Sequence, residues 1–316
     1  MSQIVPAGLT AAFLEFNLRF NEAMSFAPIW WDKIAYEQES NAESVTYSLL
    51  DKIPRMRKWL AGSPRAIQNA SLRSYSLVND DYELTEEIDR NKFDDDLYGN
   101  FSNLFTQMGE QAARWPDDML ATALQAGNAA ANTCYDGQPF FSASHPQNID
   151  VVGGTTYSNY SVNGMALTAA NYNSVRATMM SYLGADAKPL GVIPTLLVVP
   201  PQLEQAGKQI LNTDWIAPSG AFGAIAAAAP SQNTLRGSAD LLMVPQLTNA
   251  ATTWYLLAAT KSLKPFVFQR RKSPVFQMFT APTDPEVFKN RKYVFGCDAR
   301  GAVGYTAPFL AYSATA

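Results

Sequence analysis

The chain has few of the residues on which metal centres and disulfide frameworks depend. Its 316 residues include one histidine, His145, and two cysteines, Cys134 and Cys297, which lie far apart and show no CxxC spacing. One histidine excludes the ordinary multi-histidine metal sites, and this cysteine usage favours neither a zinc site nor a disulfide framework. We therefore expect no metal and no cofactor, and a reducing environment.

Long apolar runs are also missing. No run reaches the length of a membrane span, and the N-terminal MSQIVPAGLT lacks the basic, apolar and small-residue order of a signal peptide. We expect a chain that makes no membrane contact and stays in the cytoplasm in which it is made.

Charge is scarce as well. Charged residues make up 16% of the chain, against roughly 25% in ordinary soluble domains, so an isolated monomer would have an unusually uncharged surface. Much of that surface is therefore expected to face other subunits. The net charge of −4 argues against a protein that grips nucleic acid over a broad basic face. The 47% of apolar residues can fill the core of two domains or of one elongated domain.

The segment CYDGQPFFSASHP, residues 134–146, holds the histidine, one cysteine and a turn-forming Asp-Gly pair. One interpretation is catalytic, with Cys134 as nucleophile, His145 as base and Asp136 as the residue that orients the base. The other is a clamped turn, in which Gly137 tolerates positive φ and Phe140 anchors the loop by burial together with the phenylalanine that follows it. The residues alone favour the turn, because such motifs become sites only when the fold supplies the geometry.

Hydrophobic periodicity predicts helices mixed with strands. Thr10 is positioned to cap an amphipathic helix, and a longer helix is expected from Asp94 to about Ala126 with a kink or restart at Pro116. The run Asp94–Asp96 would form the acidic first turn of that helix. Further helices are predicted at 168–183 and 202–211, and strands at 44–50, 75–78, 82–88, 195–199, 241–244, 254–258, 266–269, 275–279, 293–296 and 305–312. This mixture indicates the α+β class.

Common phosphate and hydrolase templates are absent. Gly207-Lys208 lacks the upstream glycine of a phosphate-binding loop, because Gln202 occupies that position, and neither GxGxxG nor GxSxG occurs. The basic run Arg270, Arg271 and Lys272 could touch phosphates, but within strand-like residues it is more typical of a solvated edge or a subunit contact.

Neighbouring segments carry opposite charge. Residues 51–75 hold six basic residues against one acidic residue, a net charge of +5, whereas residues 79–96 hold nine acidic residues against two basic ones, a net charge of −7. Two solvated faces of one molecule would explain this pattern, and so would docking between subunits.

Seven blocks, in this order, resemble the major head subunit of Mu-like phages and prophages. The resemblance extends over nearly the whole chain, because these blocks are distributed between residues 48 and 305: SLLDKIPRMRKWLAGSPR, SYSLVNDDYELTEEIDRNKFDDDLYG, FTQMGEQAARWPDDML, CYDGQPFFSASHP, LLVVPPQLEQAGKQIL, WYLLAATKSLKPFVFQRRKSPVFQ and YVFGCDARGAVGY.

The resemblance implies an α+β, Hong Kong 97-type phage capsid fold. Its parts would be an N-terminal arm at residues 1–45, an extended loop at 46–78, a peripheral domain at 79–165 with a spine helix at about 94–126, an axial domain at 166–262, and C-terminal strands at 263–316 that return to the peripheral domain.

The resemblance also implies a function without catalysis. Copies would assemble into hexamers and pentamers of an icosahedral shell, made in the bacterial cytoplasm around double-stranded DNA, with portal, scaffolding and decoration proteins as partners. The alternatives are a cellular nanocompartment shell protein of the same fold and a cysteine hydrolase using Cys134 and His145. The subunit-interface candidates are Arg55, Arg57, Lys58, Trp59, Arg65, Asp80, Asp81, Glu83, Glu86 and Glu87, and Arg270, Arg271 and Lys272 are candidates for DNA or interface contact.

Overall fold

A computed structural model of the chain describes residues 7–50, 72–95, 100–216, 231–260 and 263–316. Its helices are α1 (Ala7–Phe26), α2 (Trp31–Ile34), α3 (Arg90–Asp94), α4 (Asn100–Ala126), α5 (Ala169–Met180), α6 (Glu204–Asn212) and α7 (Pro285–Asn290). Its strands are β1 (Ala35–Glu39), β2 (Ser44–Leu50), β3 (Leu72–Val78), β4 (Asp80–Asp89), β5 (His145–Pro146), β6 (Thr156–Tyr157), β7 (Tyr160–Ser161), β8 (Leu196–Val199), β9 (Trp215–Ile216), β10 (Ser231–Gln232), β11 (Asp240–Met243), β12 (Thr253–Leu257), β13 (Phe266–Phe279), β14 (Lys292–Tyr305) and β15 (Ala311–Thr315).

The N-terminal helix α1 buries the aromatic face that its sequence predicts. Phe13, Phe16 and Phe20 recur at spacings of three and four, and all three are buried. The helix begins at Ala7, one turn before the predicted cap Thr10. The prediction of an amphipathic helix is therefore confirmed, with its start moved toward the N-terminus.

Helices α1 and α4 pack closely against each other. The rings of Phe16 and Phe105 stack with centroids 4.1 Å apart. The approach also requires Gly109, because a Cβ on this residue would lie 2.3 Å from the carbonyl oxygen of Phe20. The contact is thus specified by buried aromatic rings on both helices and by the absence of a side chain at Gly109 of α4.

Helix α4 is shorter and more regular than expected. It has 27 residues, which span about 40 Å at about 1.5 Å per residue, and Pro116 lies inside it without ending it. Asp94 belongs to α3 instead, because the Asp89 side chain accepts a 2.9 Å hydrogen bond from the backbone N–H of Asn91 and starts that short helix. The expected acidic first turn of the long helix at Asp94 is therefore wrong.

The first sheet has the strand order β1-β13-β14-β4. Strand β14 pairs antiparallel with both β13 and β4, and β1 pairs parallel with β13. Along β14 the side chains alternate, so that Tyr293, Phe295 and Cys297 lie buried in the cluster that also contains the α1 phenylalanines. Helices α1 and α4 thus cover one face of this sheet.

The second sheet has the strand order β11-β8-β12-β15-β7. Strand β8 is buried on both faces: Leu196 and Val198 belong to one apolar cluster, and Leu197 and Val199 belong to another. Helix α5 begins as predicted, with the Thr168 hydroxyl accepting a 3.2 Å hydrogen bond from a backbone N–H.

The two sheets share one core, and the C-terminal strands expected at 263–316 are divided between them. Phe266 and Phe268 of β13 lie in the same cluster as Leu196 and Val198 of β8. In addition, β15 pairs with β12 and β7 in the second sheet and does not return to the first. A helical turn at Pro308–Leu310 follows β14 and redirects the chain.

Candidate assembly surface

The acidic interface candidates lie on β4, an edge strand of the first sheet among the described residues. Tyr82 turns toward the helices, and its ring centroid lies 5.1 Å from that of Trp115. The acidic side chains are exposed, and charge along an edge also protects a sheet from uncontrolled strand pairing. The exposed candidates are Asp80, Asp81, Glu83, Glu86 and Glu87.

Two of these carboxylates are already paired within the chain. Asp81 lies 3.2 Å from the Arg300 guanidinium, and Glu87 pairs with Lys292, both partners being on the adjacent strand β14. The carboxylate of Glu87 raises the pKa of Lys292 above its ordinary value.

The other three candidates on this edge are differently placed. Asp80, Glu83 and Glu86 form no ion pair with any residue that the structure describes. The acidic charge that β4 can offer to another molecule is therefore concentrated in these three residues.

The basic interface candidates Arg55, Arg57, Lys58, Trp59 and Arg65 lie outside the described residues. The strands on either side of them, β2 and β3, are described, and they pair as an antiparallel hairpin from Ser44 opposite Val78 to Leu50 opposite Leu72. Because β3 leads through Asn79 into β4, the basic segment is joined directly to the acidic edge.

A buried polar network holds the base of this hairpin. Gln269 of β13 is fully buried; its side-chain oxygen accepts a 2.8 Å hydrogen bond from the Tyr47 hydroxyl, and its amide donates to the side-chain oxygen of Asn79 at 2.7 Å. The Asn79 amide in turn donates to the Ser40 hydroxyl at 3.1 Å and to the carbonyl oxygens of residues 42 and 43. Both ends of the hairpin are thereby connected to β13, an inner strand of the first sheet.

Each member of the basic run at β13 contacts a group of the same chain. Arg270 lies 2.9 Å from Glu37, the Arg271 guanidinium donates to the carbonyl oxygen of Ser40 at 3.0 Å, and Lys272 pairs with Asp298. The run therefore fastens β1 and β14 to β13, whatever else it contacts.

The residues of the catalytic interpretation do not form a nucleophile and base. The Nδ1 atom of His145 lies 2.6 Å from the Asp136 carboxylate, and its Nε2 atom lies 3.3 Å from the carbonyl oxygen of Phe140, so neither ring nitrogen is directed at Cys134. Burial raises the pKa of the Cys134 thiol well above its ordinary value, which is the reverse of activation.

The same residues do form the clamped turn that the sequence favours. Gly137 has φ of +78°, the backbone N–H of Gln138 donates to Asp136 at 3.1 Å, and Phe140 is fully buried.

Within the described part of the chain, no group of three or more histidine, cysteine, aspartate or glutamate side chains is arranged to hold a metal ion. None of the helices described is both long and apolar enough to cross a membrane.

Sequence reasoning missed Gln269, Asn79 and Ser40. A signal for Gln269 was present, because FVFQ places one amide side chain in an otherwise apolar buried strand, where it needs hydrogen-bonding partners. Asn79 lies between the strands predicted at 75–78 and 82–88. Its partners lie up to 190 residues away, and no local pattern indicates them.

The chain matches one family model and is similar to proteins of known name. The family model described as "Mu-like prophage major head subunit gpT" matches residues 9–166, 161–247 and 246–316. The major capsid protein of Escherichia phage Mu is 25% identical over 302 residues, which cover 96% of this chain and 72% of the relative. The Mu-like prophage FluMu major head subunit of Haemophilus influenzae is 25% identical over 307 residues, with the same two coverages of 96% and 72%.

A solved structure gives the corresponding match in three dimensions. The procapsid of bacteriophage JBD30 superposes with a TM-score of 0.59 at 26% sequence identity, over 99% of this chain and 76% of that chain.

Proposed function

The chain belongs to the family of Mu-like prophage major head subunits, and from this premise we propose that its copies form hexamers and pentamers that close an icosahedral shell around packaged double-stranded DNA. The predicted α+β, Hong Kong 97-type capsid fold and the prediction of a major capsid protein of the virion are confirmed by the matches. The single observation that carries the proposal is the match of the family along residues 9–316 together with the fold.

Such a protein works through geometry, because each contact is repeated in every copy. The proposed parts are an N-terminal arm at 1–45, an extended loop at 46–78, a peripheral domain containing the first sheet, and an axial domain containing the second sheet together with β15. The apolar core shared by the two sheets supports a rigid subunit, in which the edges of the two sheets keep the same relative orientation in every copy.

We place the extended loop of one copy against β4 of a neighbouring copy. The loop segment carries net +5, and Asp80, Glu83 and Glu86 supply carboxylates that have no ion pair with the described residues of their own chain. Opposed charges of this kind speed encounter and fix register more than they add affinity. Trp59 supplies the apolar anchor of the proposed contact.

The other partners follow from the same role. Scaffolding, portal and decoration proteins would act on the assembled subunits, and packaged DNA would lie inside the shell. Arg270, Arg271 and Lys272 are proposed to support the shell mainly from within the subunit, because each already has a partner on its own chain.

Electron microscopy of the purified protein tests the proposal directly. We expect capsomers or closed shells that contain DNA when they are made beside the packaging proteins of the phage. Protein that stays monomeric at every concentration would contradict the proposal, and particles filled with an enzyme cargo would indicate a nanocompartment. A hydrolase would lose a measurable activity in Cys134→Ala, whereas a capsid protein would keep its assembly.

A charge exchange tests the contact between loop and edge. Reversing Arg55, Arg57 and Lys58 to glutamate should block assembly. Adding Asp80→Lys, Glu83→Lys and Glu86→Lys to the same chain should restore it, because the two surfaces would again be opposite in sign. Unchanged shells in the first variant, or no recovery in the second, would count against this contact.

A further inference from the structure

The hairpin formed by β2 and β3 depends on the body of the subunit for its direction. Among the described residues the two strands pair only with each other, as a two-stranded sheet. An isolated two-stranded hairpin is only marginally stable in water, so contacts with the body must hold it. Polar contacts from both ends of the hairpin meet at one residue of β13, Gln269.

The polar contacts centre on the fully buried side chain of Gln269. Gln269 uses its side-chain oxygen for the Tyr47 hydroxyl and its amide for Asn79 at 2.7 Å and for the carbonyl oxygen of Leu77 at 3.4 Å. Tyr47 belongs to the outgoing strand β2, Leu77 belongs to the returning strand β3, and Asn79 directly follows β3. The Gln269 side chain thus forms hydrogen bonds with both strands of the hairpin.

Apolar packing sets the distance between hairpin and body. The rings of Tyr47 and Tyr75 stack on the inner side of the hairpin, with centroids 5.7 Å apart. A Cβ at Gly304 of β14 would lie 2.9 Å from both the Tyr75 hydroxyl and a methyl group of Leu77. The hairpin therefore lies directly on the sheet at Gly304.

We propose that Gln269 and Asn79 form a buried pivot that fixes the direction in which the hairpin leaves the subunit, and that they are positioning residues for shell assembly. The network consists of uncharged groups, Gln269 is fully buried and Asn79 is 4% exposed. Amide pairs in such surroundings are directional and expensive to leave unsatisfied, so they select one geometry. The second half of this inference rests on the proposed function, because it requires the loop carried by the hairpin to contact a neighbouring copy.

The variant Gln269→Leu removes both amide functions at similar volume, and Gln277→Leu is its matched control. Gln277 is on the same strand but is exposed, and it donates to Asp298 at 2.7 Å. Hydrogen exchange on unassembled full-length subunits should show about tenfold faster exchange in β2 and β3 of Gln269→Leu, with β8 and β12 unchanged. The control should exchange like the wild type in all four strands.

Particle formation tests the link to assembly. Electron microscopy should show about tenfold fewer closed shells for Gln269→Leu, or shells of altered diameter, because misdirected loops cannot reach their site. If Gln269→Leu fails to fold, Tyr47→Phe carries the test, since it removes one hydrogen bond from the hairpin side; a smaller increase in exchange in the same two strands is then expected.

The outcomes separate the two proposals. Wild-type protein that forms no particles, combined with faster exchange in Gln269→Leu, would contradict the shell function and leave the pivot standing. Unchanged exchange in β2 and β3 of a folded variant would overturn the pivot. Faster exchange with shells of normal number and diameter would overturn the positioning role.

Discussion

Asp117 lies inside α4 but serves the N-terminal part of the chain. It is 1% exposed, and its carboxylate accepts hydrogen bonds from the backbone N–H groups of Trp30 at 3.1 Å and Trp31 at 2.8 Å. Burial raises the pKa of Asp117 to about 6, although these two donors oppose the shift. Because the pKa is higher in the folded chain, folding favours the protonated acid, and stability is gained as the pH falls through about 6 and lost as it rises.

Asp117→Asn keeps an acceptor for the two N–H groups and removes the ionisation. We expect the unassembled variant to exceed the wild type in free energy of unfolding by on the order of 2 kcal/mol at about pH 7.5, and by much less at about pH 4.5. Urea unfolding at both pH values measures this. The neighbouring exposed Asp118→Asn is the control, and a gain independent of pH would contradict the assignment.

The pair His145 and Asp136 is a second buried polar contact, with side chains 0% and 2% exposed. Asp136→Ala would leave the Nδ1 atom of His145 and the backbone N–H of Gln138 without this partner, and leaving a buried polar group unsatisfied costs about 1–3 kcal/mol. We expect a loss of that size in urea unfolding. Ser144→Ala, at an exposed position of the same loop, should change stability by less than about 0.5 kcal/mol.

At the scale of elements, the contact between α1 and α4 offers a test in which two effects oppose each other. Gly109→Ala should raise helix propensity by up to about 1 kcal/mol. Its Cβ would, however, meet a backbone oxygen at 2.3 Å, and overpacking of this kind costs about 1–3 kcal/mol. We expect the variant to be less stable than the wild type in thermal unfolding.

Gly207→Ala in α6 is the comparison for this prediction. The new Cβ there would meet a Leu241 methyl group at 2.6 Å, and a leucine side chain can rotate away. We expect a smaller loss or a gain. Equal losses in the two variants would show that the position of the obstructing atom does not matter.

Local chemistry explains which elements were predictable from sequence. The face of α1, the cap at Thr168 and the turn at Gly137 follow from spacing, from a hydroxyl before a helix and from Asp-Gly chemistry, all within a few residues. The start of α4 was misplaced because the Asp89 cap creates a separate short helix. The placement of β15 and the bonds of Gln269 depend on residues far away in sequence, which no window can contain.

The candidate surface was likewise predictable only where neighbouring residues determine it. Charge counting identified the acidic strand, because segregation is visible in sequence. It could not separate Asp81 and Glu87 from Asp80, Glu83 and Glu86, because pairing with β14 depends on strand register. For the same reason it could not show that Arg270 and Lys272 already have carboxylate partners.

At the scale of the whole molecule, a contact between loop and edge through charge must respond to salt. Raising the ionic strength from about 0.1 M to about 1 M shortens the Debye length from about 10 Å to about 3 Å. We expect the initial rate of assembly, followed by light scattering, to fall by about tenfold or more. A variant with Asp80→Asn, Glu83→Gln and Glu86→Gln should assemble slowly and with little salt dependence, and equal salt dependence in both proteins would contradict the contact.

The side chain of Gln269 bonds only uncharged groups, so salt should affect the direction of the hairpin less than it affects the attraction between copies. Ions weaken attraction between copies, whereas hydrogen bonds between uncharged amide and hydroxyl groups respond little to salt. Under the proposed contact between loop and edge, we expect a wrongly joined subunit to detach while its hairpin keeps its direction. The strength of attachment and the direction of the attaching hairpin would then be set by different chemistry, which would allow assembly to correct its errors.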